Sequence, residues 1–382
     1  MSSISKIHIK NFLSLKDVEV ELGKLNIMVG PNASGKSNIA KALILLRNHV
    51  REGFPTISGY RNFKDIAFNF DETAKISFEV EATLENCKIQ YSLNLTVNGY
   101  FEQAKIDGKV VLSQESEDPY TPKNSLLTVE GKMESVSPPH QQVHMFNNRL
   151  LFRSLLSFLP SNAIKELHEL AKLLRNITVH SFSPERIRAS SNISVHPIIG
   201  YYGENLARTL LYLYLEDRKT FNSIENAFRS FIPEVEEIIP HIEGSTVELW
   251  LRVKGLSEPL KPANISDGTL RILALITILY SKSSLAVFEE PENCVHPYLL
   301  EAFVNLTYKA PCQVMITTHS PYLLDHVKPE DVYIVNKFET STIIRKLERM
   351  DEMNAVRKLL EKGGTLGEAW HSGLIHGVPR AE

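Results

Sequence analysis

Eight residues carry the strongest chemical signal in this chain: Gly30-Pro31-Asn32-Ala33-Ser34-Gly35-Lys36-Ser37. They fit G-x-x-x-x-G-K-[ST], the phosphate-cradling P-loop. The backbone N–H groups of such a loop wrap an anion, and the following helix start adds partial positive charge. Gly30 and Gly35 supply backbone conformations closed to bulkier residues. Lys36 is placed to reach β- and γ-phosphates, and Ser37 to ligate Mg²⁺. The candidate contacts are therefore Asn32, Ala33, Ser34, Gly35, Lys36, Ser37 and Asn38.

Hydrolysis needs more: an acid to hold Mg²⁺ and a group to position the attacking water. Phe288-Glu289-Glu290-Pro291-Glu292 follows the apolar run Leu285-Ala286-Val287 and supplies both. Glu289 is the candidate metal acid and Glu290 the candidate base or water-orienting residue. The bland alternative is a solvated acidic loop. His319 follows Ile316-Thr317-Thr318, again at an expected strand end. It is either a satisfied polar residue or a donor to a γ-phosphate. His296 is either a helix cap or a residue at a subunit contact.

Ser266-Asp267-Gly268-Thr269 precedes a long apolar helix. Ser266 reads as its N-cap. Ser266, Gly268 and the helix start also make a second anion site, and a chain with two such sites suggests that two copies close over one nucleotide.

These residues need elements to hold them. Leu25-Asn26-Ile27-Met28-Val29 is a short apolar run that reads as a buried strand, and the stretch from Asn38 to about Arg47 reads as a helix. Residues 6–10 and 17–22 alternate polar and apolar, as half-buried strands do. Residues 75–81, 88–95 and 101–113 give an antiparallel β-layer, with Asp107-Gly108 as a hairpin turn. Residues 114–142 lack periodicity and read as an exposed loop. Residues 145–176 and 204–231 carry a helical period. The region 143–235 is expected to be a helical lobe inserted in the core, or else a separate all-α domain. The runs at 285–288 and 313–318 do not alternate, as expected of parallel strands covered on both faces. Residues 331–336 and 342–347 suggest a hairpin, 351–361 a helix, and the remainder a glycine-rich tail. The expected organisation is 1–142 and 236–350 as two halves of one core, 143–235 as the lobe, and 351–382 as helix and tail.

The chain has 382 residues, 43% hydrophobic and 23% charged, with a net charge of −3. That is an ordinary globular composition with no global basic signature for nucleic acid. Cys87, Cys294 and Cys312 form no C-x-x-C pair, so neither a zinc ribbon nor a disulfide framework is expected. Reduced thiols and a cytoplasmic location are the expectation. No apolar run is long enough to insert in a membrane.

The four motifs occur in the order Walker A, signature, Walker B with D-loop, and H-loop. In that order they resemble the ABC-type ATPase fold of the SMC, RecF and OLD families. Lys6-Ile7-His8-Ile9-Lys10-Asn11-Phe12 is similar to their first strand and turn. Glu-Glu-Pro-Glu-Asn and Thr-His-Ser-Pro resemble the OLD-like branch. Three departures stand out: Glu289 replaces the usual Asp, Asp267 stands where transporters have Gly, and no glutamine between Lys41 and Gln90 fills the Q-loop place. The resemblance implies an α/β fold: a P-loop NTPase with an ABC-ATPase-like mixed sheet core, an antiparallel β-layer and an inserted helical lobe. It implies ATP and Mg²⁺ as ligands and an ATP-dependent homodimer. It also implies a load such as DNA or a separately encoded nuclease or effector, in DNA repair or phage defence. The stretch after Asn336 is too short for the Toprim nuclease domain of full OLD proteins, so none is expected. Two rival readings are a nucleotide-gated scaffold with negligible turnover, separable by a turnover assay, and a transporter ATPase subunit, separable by association with a permease. A nuclease acting alone lacks a spare acidic cluster.

Overall fold

The computed structural model describes residues 2–53, 55–116, 123–129, 132–135, 154–193, 197–349 and 353–375. In chain order the strands are β1 (Ser3–Phe12), β2 (Leu15–Glu21), β3 (Leu25–Val29), β4 (Ile76–Thr83), β5 (Lys88–Leu95), β6 (Tyr100–Ile106), β7 (Lys109–Ser116), β8 (Lys123–Val129), β9 (Lys132–Ser135), β10 (Ile177–His180), β11 (Ser191–Asn192), β12 (Val235–Glu243), β13 (Thr246–Val253), β14 (Leu285–Glu289), β15 (Gln313–Thr318), β16 (Val332–Phe338) and β17 (Ser341–Lys346). The helices are α1 (Lys36–Glu52), α2 (Phe63–Ile66), α3 (Lys165–Arg175), α4 (Pro184–Arg188), α5 (Leu206–Glu216), α6 (Arg218–Phe231), α7 (Asp267–Tyr280), α8 (Pro297–Lys309), α9 (Pro321–Leu324), α10 (Met353–Glu361) and α11 (Leu366–His371). The chain forms two compact units.

The first unit comprises Met1–Gly23, Gly30–Ile177 and Tyr333–Lys346. Its sheet runs β2-β1-β4-β5-β6-β7-β8-β9, antiparallel at each pairing given a register. The alternating sequence explains it: in β4, Ile76, Phe78, Val80 and Ala82 are buried while Glu79 and Thr83 are exposed. α1 lays a stripe of Ile39, Ala42, Leu43, Leu46 and Val50 inward and ends at Gly53, whose φ is 82°. It is longer than the sequence suggests, because Asn48 and His49 are buried polar residues inside its last turns. β8 and β9 occupy part of the stretch expected to be a loop. β9 is short, polar and at the sheet edge, and the adjacent Leu126 and Leu127 break the alternation of β8, which hides both from periodicity.

The second unit comprises Lys24–Val29, Thr178–Val332 and Leu347–Glu382. β10, β14, β15 and β3 lie side by side in that order. β14–β15 and β15–β3 are parallel. Every residue of β3 and β14 is buried, which accounts for their unbroken apolar runs. α7 buries nine residues, from Leu270 to Leu279. A smaller sheet, β11-β13-β12, completes the unit with α5 and α6. The unit boundary at Ile177 and Thr178 falls within the 143–235 stretch expected to be one lobe. α3 packs on α1, whereas α4, α5 and α6 belong to the second unit. The expected helical start at 145–153 lies outside the described residues.

The glycine-rich tail contains α11. Thr365 caps it, accepting from Glu368 N at 3.1 Å, and Glu368 Oε2 accepts from Thr365 N at 3.0 Å. Gly367 N donates to Asp325 Oδ1 at 2.9 Å, and a Cβ at Gly367 would strike Pro321 O. The glycine therefore lets α11 press against α9. Among the described residues no helix is long and apolar enough to cross a membrane.

Candidate functional site

In the first unit, residues 30–37 wrap from the chain leaving β3 into α1. Ala33 (φ 61°) and Gly35 (φ 103°) both adopt left-handed backbone. A Cβ at Gly30 would strike Val335 O, and one at Gly35 would meet Ser14 Oγ at 2.9 Å and strike Thr342 Oγ1. Close approach as well as backbone freedom thus requires these glycines. A relay of donors braces the loop: Asn38 Nδ2 donates to Ser14 Oγ at 2.7 Å, Ser14 Oγ lies 2.6 Å from Thr342 Oγ1, and Thr342 Oγ1 donates to Ser34 O at 3.0 Å. Lys36 is 7% exposed. Its Nζ donates to Gly30 O at 2.7 Å and Pro31 O at 2.9 Å. Asn32, Ala33 and Ser37 are exposed.

The cradle fits an anion. α1 starts with no side-chain cap and no acid in its first turn, leaving its end positive. Ser34 Oγ is buried without a hydrogen-bond partner.

In the second unit the C-terminal ends of three parallel strands stand in a row: Glu289 pairs with Thr317, and Thr318 with Val29. Glu289 is 8% exposed and accepts a hydrogen bond from the Tyr201 hydroxyl. Burial, then the Glu289 charge, pushes the Tyr201 phenol well above its ordinary range, so it is a donor. Glu290 has φ 48°, a strained value for a non-glycine residue. Its N donates to Thr317 O at 2.8 Å. Its Oε1 lies 3.2 Å from His319 Nδ1, and its Oε2 accepts from Asn293 Nδ2 at 3.1 Å. The structure thus brings Glu289, Glu290 and His319 together on adjacent strand ends. Glu292 accepts from Thr318 Oγ1, and burial raises its carboxyl.

Ser266 caps α7, accepting from Thr269 N at 3.2 Å. Asp267 pairs with the Arg188 guanidinium, which also donates to Ile265 O at 2.9 Å and Pro262 O at 3.2 Å. A Cβ at Gly268 would lie 2.6 Å from Cys294 O, so the signature turn packs against the segment after the acids. His296 caps α8, its Nδ1 accepting from Tyr298 N at 3.3 Å.

A model of the AAA domain matches residues 6–234. The chain belongs to the AAA domain family. A second model, described as AAA domain, putative AbiEii toxin, Type IV TA system, matches residues 145–325. Among curated relatives, the AAA domain chain is 24% identical over 376 residues to an OLD nuclease of Thermus scotoductus, covering 90% of this chain and 62% of that one. It is 23% identical over 271 residues to the DNA replication and repair protein RecF of Citrifermentans bemidjiense, covering 70% and 65%. The chain therefore spans less than two thirds of the length of both relatives. An SMC head bound to the C-winged helix domain of ScpA superposes with a TM-score of 0.59 at 13% identity, covering 92% of this chain and 99% of that one. An SMC head with an extended coiled coil, bound to the C-terminal domain of ScpA derived from Pyrococcus furiosus, gives 0.54 at 13% identity, covering 95% and 99%. The AAA domain here is SMC/RecF/OLD-like and has the P-loop ATPase fold of SMC heads.

Four contacts in this AAA domain escape sequence reasoning: Ser14, Thr342, Arg188 and Tyr201. Each is a common residue type with no local pattern around it. Only Asp267, standing where transporters have Gly, hints that a cation must meet it. Ser37 in the first unit and Glu289 in the second each offer oxygen, the hard donor type that suits Mg²⁺.

Proposed function

We propose that the chain binds ATP with Mg²⁺ and hydrolyses it, two copies closing head to tail over the nucleotide. The row of strand ends carries this reading. Glu289, Thr318 and Val29 stand side by side, and the phosphate-type loop follows Val29 directly in the chain. Lys36 and the α1 amides hold phosphate. Ser37 and Glu289 hold Mg²⁺, which when bound neutralises phosphate charge. Glu290 accepts the proton of the attacking water, or orients it, with its carboxylate fixed by Asn293 and His319. His319 donates to the γ-phosphate. Ser266 and Gly268 of a second copy complete the site.

The load is DNA or a nuclease-type effector, in a DNA-repair or phage-defence role. The kinship to an OLD nuclease and to a DNA replication and repair protein supports it. Such a load places the work in the cytoplasm. The SMC heads bound to ScpA support a partner-binding role for the same fold.

Glu290→Gln tests the chemistry. It keeps the shape and the Asn293 contact but loses the basic oxygen. ATP binding should persist while turnover falls by about 10² to 10⁴. Unchanged turnover would remove Glu290 from the mechanism.

A further inference from the structure

The turn at residues 200–205 is over-determined for its size. Gly203 N donates to Gly200 O at 3.1 Å, Gly200 N to Glu204 O at 2.9 Å, and Tyr202 N to Glu204 Oε2 at 3.0 Å. Two further bonds pin it to the segment after β10: Ser181 N donates to Tyr201 O at 2.8 Å and Ser183 N to Tyr202 O at 3.0 Å. His180 Nδ1 lies 3.0 Å from Gly200 O. Gly203 has φ 94°, and a Cβ there would lie 2.5 Å from the Ile187 side chain. The Tyr202 ring meets that of Tyr201 edge-on, with centroids 4.8 Å apart.

All this rigidity delivers one group, the Tyr201 hydroxyl, to one oxygen of the buried Glu289 carboxylate. Among the described residues Tyr201 is the hydrogen-bond partner of that carboxylate. A carboxylate turns about its last side-chain bond unless something holds one oxygen. With Oε2 held, Oε1 is presented in a fixed direction. Donors behind a metal-binding group act in this way, and removing one costs about 10- to 100-fold in metal affinity or activity.

We infer that Tyr201 is a positioning residue that fixes the Glu289 carboxylate for the divalent ion accompanying bound nucleotide. The inference rests on the proposed role of Glu289 as the metal acid. It also gives the turn a purpose: the segment leading into α5 sets the metal acid of β14.

The test measures binding, without turnover, in the Glu290→Gln protein. Affinity for fluorescent ATP is compared in Mg²⁺ and in EDTA, and the ratio reports the gain due to metal. Tyr201→Phe keeps the ring and removes the hydroxyl. It should cut that ratio by about tenfold and leave ATP affinity in EDTA unchanged. Glu289→Gln should cut the ratio at least as much. An unchanged ratio in Tyr201→Phe, beside a lowered one in Glu289→Gln, would overturn the role of Tyr201 alone. An unchanged ratio in both would overturn the role of Glu289, and that of Tyr201 with it. Equal losses in EDTA and in Mg²⁺ would show general distortion and also overturn the inference.

Discussion

Arg188 shows how one side chain can set a functional turn. Its guanidinium meets three acceptors, the Asp267 carboxylate and the carbonyls of Ile265 and Pro262, and so grips the chain on both sides of Ser266. A planar fork of donors suits this geometry and a lysine does not. The Arg188 side chain is 26% exposed, so solvent screening limits its contribution to stability to about 1 kcal/mol. Its larger effect should fall on turnover. Arg188→Ala should bind ATP normally, since the loop is untouched, and lose at least about tenfold in hydrolysis, a cost of about 1.4 kcal/mol in the barrier. Arg188→Lys should recover only part of that rate. Full activity in Arg188→Ala, measured by phosphate release, would reduce the pair to a surface contact.

At the scale of elements, a buried polar cluster locks α1 to the β-layer. Glu102 on β6 is fully buried. It accepts from Tyr91 on β5 at 2.9 Å, from Ser154 Oγ at 2.6 Å and from Leu155 N at 3.0 Å, while His49 Nε2 in the last turns of α1 lies 3.8 Å away. Burial alone would raise the Glu102 carboxyl. The imidazole and the hydroxyl donors outweigh burial and hold it below its ordinary value. A depressed carboxyl contributes stability at pH above its unfolded pKa of about 4.3, and loses it as pH falls through the folded value. Glu102→Gln should therefore cost about 3 kcal/mol at neutral pH. The gap to wild type should shrink below about pH 4. Urea unfolding of both proteins at pH 7 and pH 3.5 checks this, and an identical gap at both pH values would sink it.

At the scale of the whole molecule, the proposed head-to-tail dimer makes a sharper demand than any single-site loss. Ser266→Arg should leave the loop able to bind ATP, because the Lys36 cradle is intact. It should abolish ATP-dependent dimerisation in light scattering, because a bulky cation fills the start of α7. Lys36→Ala should fail at the loop instead. Mixing the two puts both lesions in one composite site and leaves the other whole. The mixture should regain turnover that neither variant has alone. Wild-type hydrolysis by a monomeric Ser266→Arg would leave Ser266 as the cap of α7 and nothing more.

Much of this was legible in the residues themselves. The loop motif, its flanking strand and helix, and the acids at the end of β14 depend on short-range rules: glycine conformations, apolar runs and helix starts. These act over a few residues, so a one-dimensional string records them. The ends of α1, strand β8 with the short edge strand β9, and helix α11 were not legible, because buried polar residues, weak alternation and glycine conceal them. Nor were the contacts that aim the site. Tyr201 lies 88 residues from Glu289, Arg188 79 from Asp267, and Ser14 328 from Thr342. No local pattern marks such pairs. Sheet order brings β14 beside β10, a tightly hydrogen-bonded turn aims the Tyr201 hydroxyl, and the β16–β17 hairpin carries Thr342 to the loop. The sequence by itself determined which groups could do the chemistry. Tertiary structure decided which of them are held in place and by what, because only packing converts chain distance into contact.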